Sequence, residues 1–197
     1  MTYQLLIALL GFAFVTSVTP GPNNMMLMAS GANFGFHRSI PHMLGISLGH
    51  ALMVFLVGMG LAGAVHAVPG LLTGMKIASI LYMLWLAWKI ANSAAPGEGK
   101  SGGRPFSFLQ AAAFQWVNPK AWAMALGATS AYAPDGSVQS YLIVAVVFAC
   151  VNLPSVSLWA YAGQKVRQFL TVPSRLRAFN WTMAGLLIAS LAPVLWQ

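Results

Sequence analysis

The segment V-T-P-G-P-N-N-M-M, residues 18–26, ends an apolar run that begins at Tyr3. Pro20, Gly21, Pro22, Asn23 and Asn24 arrive together, and each weakens a helix where it stands. Proline has no N–H to donate, and its ring collides with the carbonyl one turn back. In hydrocarbon, the carbonyls released in this way must find other donors or cost several kcal/mol. A single proline in such a helix often does no more than kink it. Two prolines around a glycine, followed by two amides, predict a discontinuous helix. Its unwound backbone offers donors and acceptors, and the amides offer both.

Composition identifies lipid as the solvent. Of the 197 residues, 58% are apolar and only 6% are charged, against about 25% charge in soluble domains. So few charges cannot cover a soluble surface. The net charge of +8 calls for no nucleic-acid partner, because the cations lie in short gaps between apolar runs and form no single patch. Met1–Gln4 lacks Lys and Arg, and no small-x-small site precedes Pro20. The first run is therefore expected to be a retained span and not a cleaved leader.

A helix needs about 20 mostly apolar residues to cross a bilayer. Six segments qualify: Tyr3–Met28, Ser39–Val65, Leu71–Ala91, Phe106–Ala131, Gln139–Gly163 and Ala178–Trp196. The first is continuous only if the break is tolerated within it. Turn formers occupy the gaps at Gly31–Gly35, Pro69-Gly70, Pro96–Pro105, Pro134-Asp135-Gly136 and Pro173-Ser174. The expected fold is an all-α integral membrane protein of six transmembrane helices, one transmembrane domain over residues 1–197. Repeat one covers about 1–95, the linker about 96–105 and repeat two about 106–197.

Arg38, Lys89, Lys100, Arg104, Lys165, Arg167, Arg175 and Arg177 follow spans 1, 3 and 5, which is eight of the ten basic residues. The excess of Lys and Arg on one side predicts that this side is cytoplasmic and that both termini lie outside it. Three spans per half then give two inverted repeats. Their first helices, spans 1 and 4, each carry a proline break beside an asparagine, which points to a binding site between them.

Lys120, in Asn118-Pro119-Lys120, lies about 21 Å along span 4, counted from Phe106 at about 1.5 Å per residue, in a core about 30 Å thick. A lysine at such depth costs about 2.5–3.5 kcal/mol to insert. Two roles fit. Its ammonium can pair with a substrate carboxylate, or, desolvated, it can carry a proton. Asn152, near Pro154 in span 5, and His50, in span 2, also fall near mid-span. A lone histidine is as readily structural as functional. Gly45-x-x-x-Gly49 and Gly58-x-Gly60 read as close-packing faces. The four histidines have no metal-ligand spacing, and Met25, Met26 and Met28 need no cofactor.

The only acids, Glu98 and Asp135, fall in gaps, so no carboxylate stands within a span. That argues against a divalent-ion carrier. A thiol–disulfide relay needs two cysteines, and Cys150 is alone.

Several motifs together resemble the LysE/RhtB-type amino-acid exporters over nearly the whole chain. These are T-P-G-P-N-N in span 1, G-I-S-L-G in span 2, Y-M-L-W-L-A-W-K-I ending span 3, V-N-P-K-A-W in span 4 and F-N-W-T-M-A-G-L-L-I opening span 6. T-P-G-P-N-N with L-A-W-K-I-A looks most like the cysteine/O-acetylserine branch. The resemblance implies a bacterial cytoplasmic-membrane exporter of small amino acids or derivatives, driven by protons. It implies transport roles for Pro20, Gly21, Pro22, Asn23, Asn118, Pro119 and Lys120. Many members carry Asp directly after the second glycine of the span 2 motif, where this chain has His50. His50 and Lys120 are therefore the candidates for proton coupling. Export of another small metabolite or ion on the same scaffold, and assembly into a homo-oligomer, stay open at this level.

Overall fold

A computed structural model describes residues 1–93 and 104–192, and every regular element among them is helical. The linker expected over Pro96–Pro105, with Glu98 and Lys100, lies almost wholly outside the described residues. So do residues 193–197, the end of the sixth expected span.

The first span is two helices. α1 covers Tyr3–Val18 and α2 covers Pro22–Phe34, and they meet at 55°. Pro22 opens α2 at the position where a missing N–H costs nothing. α2 also outlasts its expected end at Met28. Gly31, read as a turn former, stays helical and instead serves the crossing with a neighbouring helix, since a Cβ there would collide with the Ala160 carbonyl. Gly35, at φ +84°, ends the helix instead.

After a 3₁₀ turn over His37–Ser39, α3 covers Ile40–Leu56. It passes through a π-helical stretch, Val57–Leu61, into α4, Ala62–Ala67. Gly58 packs, since a Cβ would lie 2.5 Å from the Tyr141 ring. A Cβ at Gly60 would meet nothing; that residue serves the φ of +102° in the π stretch. α5 covers Leu71–Ala91, as expected from its Pro69-Gly70 boundary.

The fourth expected span is also divided. α6 covers Phe108–Phe114, a 3₁₀ turn covers Gln115–Val117, and α7 covers Pro119–Tyr132. Lys120 thus lies in the first turn of α7 and not in the middle of a helix. Pro119 starts that helix and the Asn118 side chain caps it, accepting from the Lys120 N–H at 3.1 Å. α8 covers Val138–Arg167, with Pro154 inside it. Its 30 residues span about 45 Å at 1.5 Å per residue. α9 covers Pro173–Ala189, five residues earlier than expected at its start, because Pro173 again takes the N-terminal position. Three stretches are long and apolar enough to cross a membrane: His37–Val65, Leu71–Ala91 and Val138–Arg167. The bent pair α1–α2 makes a fourth if taken as one span.

Side-chain contacts define two ends. At one, the Phe36 N–H donates to Gln164 at 2.6 Å, and Asn180 binds both Asn33 and the Ser93 carbonyl. The ends of α2, α5 and α8 and the start of α3 therefore meet there, and α9 joins them through Asn180, near its middle. They bring Arg38, Lys89, Lys165, Arg167, Arg175 and Arg177, with Arg104 nearby. At the other end, Phe12 of α1 lies 5.5 Å from Tyr132 of α7. Asp135 there accepts from the Ser137 and Ser140 hydroxyls, which hold its carboxyl below the usual range.

Two apolar clusters fill the interior. One, toward the basic end, includes Leu27, Ile46, Leu86, Phe114 and Val156. The other, toward the Asp135 end, includes Leu9, Met53, Ala125, Val144 and Phe148. Close crossings let the backbones approach. α2 and α8 meet at Gly31 and Gly163, where a Cβ would strike the opposing carbonyl of Ala160 or Met28. α3 meets α6 at Gly45 and Gly49, against Phe108 and Ala112.

Candidate functional site

Each helix that runs from one apolar cluster to the other carries a polar side chain between them. α1 passes from Ala13 through Ser17 to the break, and α3 from Ile46 through His50 to Met53. The fourth expected span passes from Phe114 through Gln115 and Asn118 to Ala121, and α8 from Phe148 through Asn152 to Val156. A polar layer thus lies at mid-height, and both breaks lie in it.

Within this layer every carbonyl freed by the first break has a donor. The Asn24 amide donates to the Ser17 and Thr19 carbonyls at 2.9 and 2.7 Å. The Trp159 indole donates to the Val18 carbonyl at 3.1 Å. Lys120 Nζ donates to the Thr19 carbonyl at 2.7 Å, to the Thr19 hydroxyl at 2.9 Å and to the Pro20 carbonyl at 3.4 Å. The second break is tied to the first once more, through a reciprocal amide pair between Asn23 and Gln115 at 2.9 and 3.1 Å. Gly21 makes room for this joint, since a Cβ there would lie 2.7 Å from the Lys120 side chain.

Of the residues singled out from the sequence, Gly21, Asn23, Asn24, His50, Asn118, Lys120 and Asn152 line one small space. Pro20, Pro22 and Pro119 do not line it. Pro22 and Pro119 start α2 and α7, and Pro20 lies exposed at the bend, where only its carbonyl reaches the joint. The space is about 20 Å³, room for about one water, which needs about 10–15 Å³. His50 is 2% exposed, and neither ring nitrogen finds a partner among the described residues; the same holds for the Ser17 hydroxyl. A buried polar atom without a partner is costly, so this chamber favours a polar guest. His50 and Lys120 are the titratable side chains facing it. On its outer side, the bend at Pro20 and Gly21 borders an apolar groove of about 370 Å³ against Trp159 and Met183.

Sequence reasoning missed Ser17, Gln115 and Trp159. Gln115 had a signal: it is a lone amide inside an apolar stretch, three residues before Asn118. Trp159 had none, because its indole acts through a backbone carbonyl 141 positions away.

The model of the LysE type translocator family matches residues 14–196. A cysteine/O-acetylserine efflux protein of Escherichia coli O157:H7 is 32% identical over 191 residues, 95% of this chain and 96% of that protein. One of Shigella sonnei (strain Ss046) is 33% identical over 166 residues, 83% of this chain and 84% of that protein. No solved structure matches. Since the match runs through both breaks and every residue around the chamber, the chain belongs to the LysE type translocator family.

Proposed function

We propose that this chain is a secondary transporter of the bacterial cytoplasmic membrane. It exports a small amino acid or derivative, of the cysteine, O-acetylserine, homoserine or threonine type, in exchange for protons. The names of its relatives support the substrate class. The observation that carries the reading is the joint in the polar layer, where the Lys120 ammonium binds the open backbone of the opposite break.

That joint suits a zwitterion. An α-amino acid offers a carboxylate to Lys120 and an ammonium to the Thr19 and Pro20 carbonyls. Inserted between them, it replaces each hydrogen bond that it breaks. In the present conformation the joint is shut and the chamber is too small for cargo. Transport then consists of opening the joint to one side and then the other, as one repeat rocks against its partner. In this arrangement α1–α2, α3–α4, α5, α6–α7, α8 and α9 form six crossings in two inverted repeats. The basic end faces the cytoplasm, and both termini lie outside. His50, with its unpartnered ring nitrogens in the chamber, is the proton carrier, and Lys120 is the alternative.

The test is efflux of labelled cysteine, O-acetylserine, homoserine and threonine from loaded vesicles. Efflux of at least one should quicken when the outside is made more acidic than the lumen, because protons then run inward as cargo leaves. Vesicles that release none of the four, with or without the gradient, would remove the exporter reading.

A further inference from the structure

We propose that a second cavity, at the basic end, binds a small molecule with a short apolar body, its carboxylate held by Lys89 and Arg104 at the mouth and a second polar group, where it has one, by His42 in the wall. It lies between α2, α3, α5 and the chain at 104–106, and it shares no lining residue with the Lys120 chamber. That the ligand is the transported amino acid rests on the exporter reading; the site itself does not.

The cavity holds about 210 Å³. A dry protein cavity of about 150 Å³ takes benzene, so a small amino acid or short carboxylic acid fits. Its walls are largely apolar, from Met26, Leu86 and Phe106. Lys89 is half-buried, and its Nζ stands 5.1 Å from the Phe106 ring centroid and 5.3 Å from that of Trp85. These rings fix the ammonium at the mouth without neutralising it. Arg104 stands exposed on the same mouth. Among the described residues the one carboxylate is Asp135, bound to Ser137 and Ser140 at the far end.

His42 is the second, independent observation. It lines the cavity, is 1% exposed, and neither ring nitrogen has a partner among the described residues. Asn33, beside it, is already satisfied by Ala29 and Asn180. An unpaired imidazole on the wall and cations at the mouth, with apolar surface between, match a carboxylate at one end of a ligand and a second polar group at the other. A buried unpaired group gains most from such a partner.

The experiment is equilibrium binding of labelled O-acetyl-L-serine and of propionate to the full chain in neutral detergent. It is run in the wild type and in Lys120→Gln, which removes the ammonium donor at the joint. Saturable binding of both probes is expected to persist in Lys120→Gln. Adding Lys89→Gln or Arg104→Gln should weaken it at least about tenfold, the scale of one charge-assisted hydrogen bond, and adding both should abolish it. Helical circular dichroism and gel filtration check that each variant is folded. O-acetylserine methyl ester should not bind. Propionate bound and lost in this pattern, with no amino acid exported, would leave this site standing and remove only the exporter reading. Efflux that survives Lys89→Gln/Arg104→Gln unchanged, with binding equally unchanged, would overturn the site and leave the exporter. Absence of saturable binding, or a cavity that responds only to phosphatidylglycerol, would also overturn it.

Discussion

Lys120 and the residues around it show what a membrane helix needs when it stops being a helix. The Ser17, Val18, Thr19 and Pro20 carbonyls receive donors from Asn24, Trp159 and Lys120. Trp159→Phe keeps the ring packing but removes the donor to Val18. It should cost about 1–3 kcal/mol, the desolvation penalty of one stranded acceptor, measured by thermal unfolding in detergent. Gln115→Leu should cost as much by stranding Asn23. The double change Asn23→Leu/Gln115→Leu should recover part of the loss, because no amide is then left unpaired. A double mutant no better than the sum of the singles would show that the pair is not coupled. Lys120 stood out in the sequence because a lysine several residues from either end of an apolar run cannot readily snorkel to an interface and is costly to insert. The Asn23–Gln115 pair was not, because nothing local announces a partner 92 residues away.

At the scale of the element, the breaks were readable and their geometry was not. Pro119 read as a break within span 4, but the count from Phe106 still put Lys120 at mid-helix; Pro119 starts a new helix, and this moves Lys120 to a first turn. Gly31 read as a turn former because glycine is used both for turns and for close crossings; only the Ala160 carbonyl opposite decides between them. Gly31→Ala should therefore push α2 from α8 and cost about 1–3 kcal/mol of overpacking. Gly185→Ala is the control, since a Cβ there meets nothing within 4 Å, and it should leave the unfolding temperature unchanged or raise it. Equal effects of the two substitutions on unfolding would show that the crossing does not depend on its glycine. α5 was legible to the residue, because Pro69-Gly70 bounds it and no proline lies within it.

At the scale of the molecule, the charge pattern read from the gaps reappears as one basic end, gathered by the Phe36–Gln164 and Asn33–Asn180 contacts. The layering of apolar cluster, polar layer and apolar cluster was not legible, since it exists only once four separate stretches are side by side. With Cys150→Ser as background, an impermeant maleimide applied to intact cells should label Asp135→Cys and not Arg175→Cys. The reverse pattern would invert the proposed topology. The most direct test of the joint as the transport site is efflux of labelled O-acetylserine and cysteine from vesicles holding Lys120→Gln, shown by circular dichroism to be folded. The rate is expected to fall at least about tenfold, the loss of one charge-assisted contact to the cargo. A folded Lys120→Gln protein that exports both at the wild-type rate would contradict it.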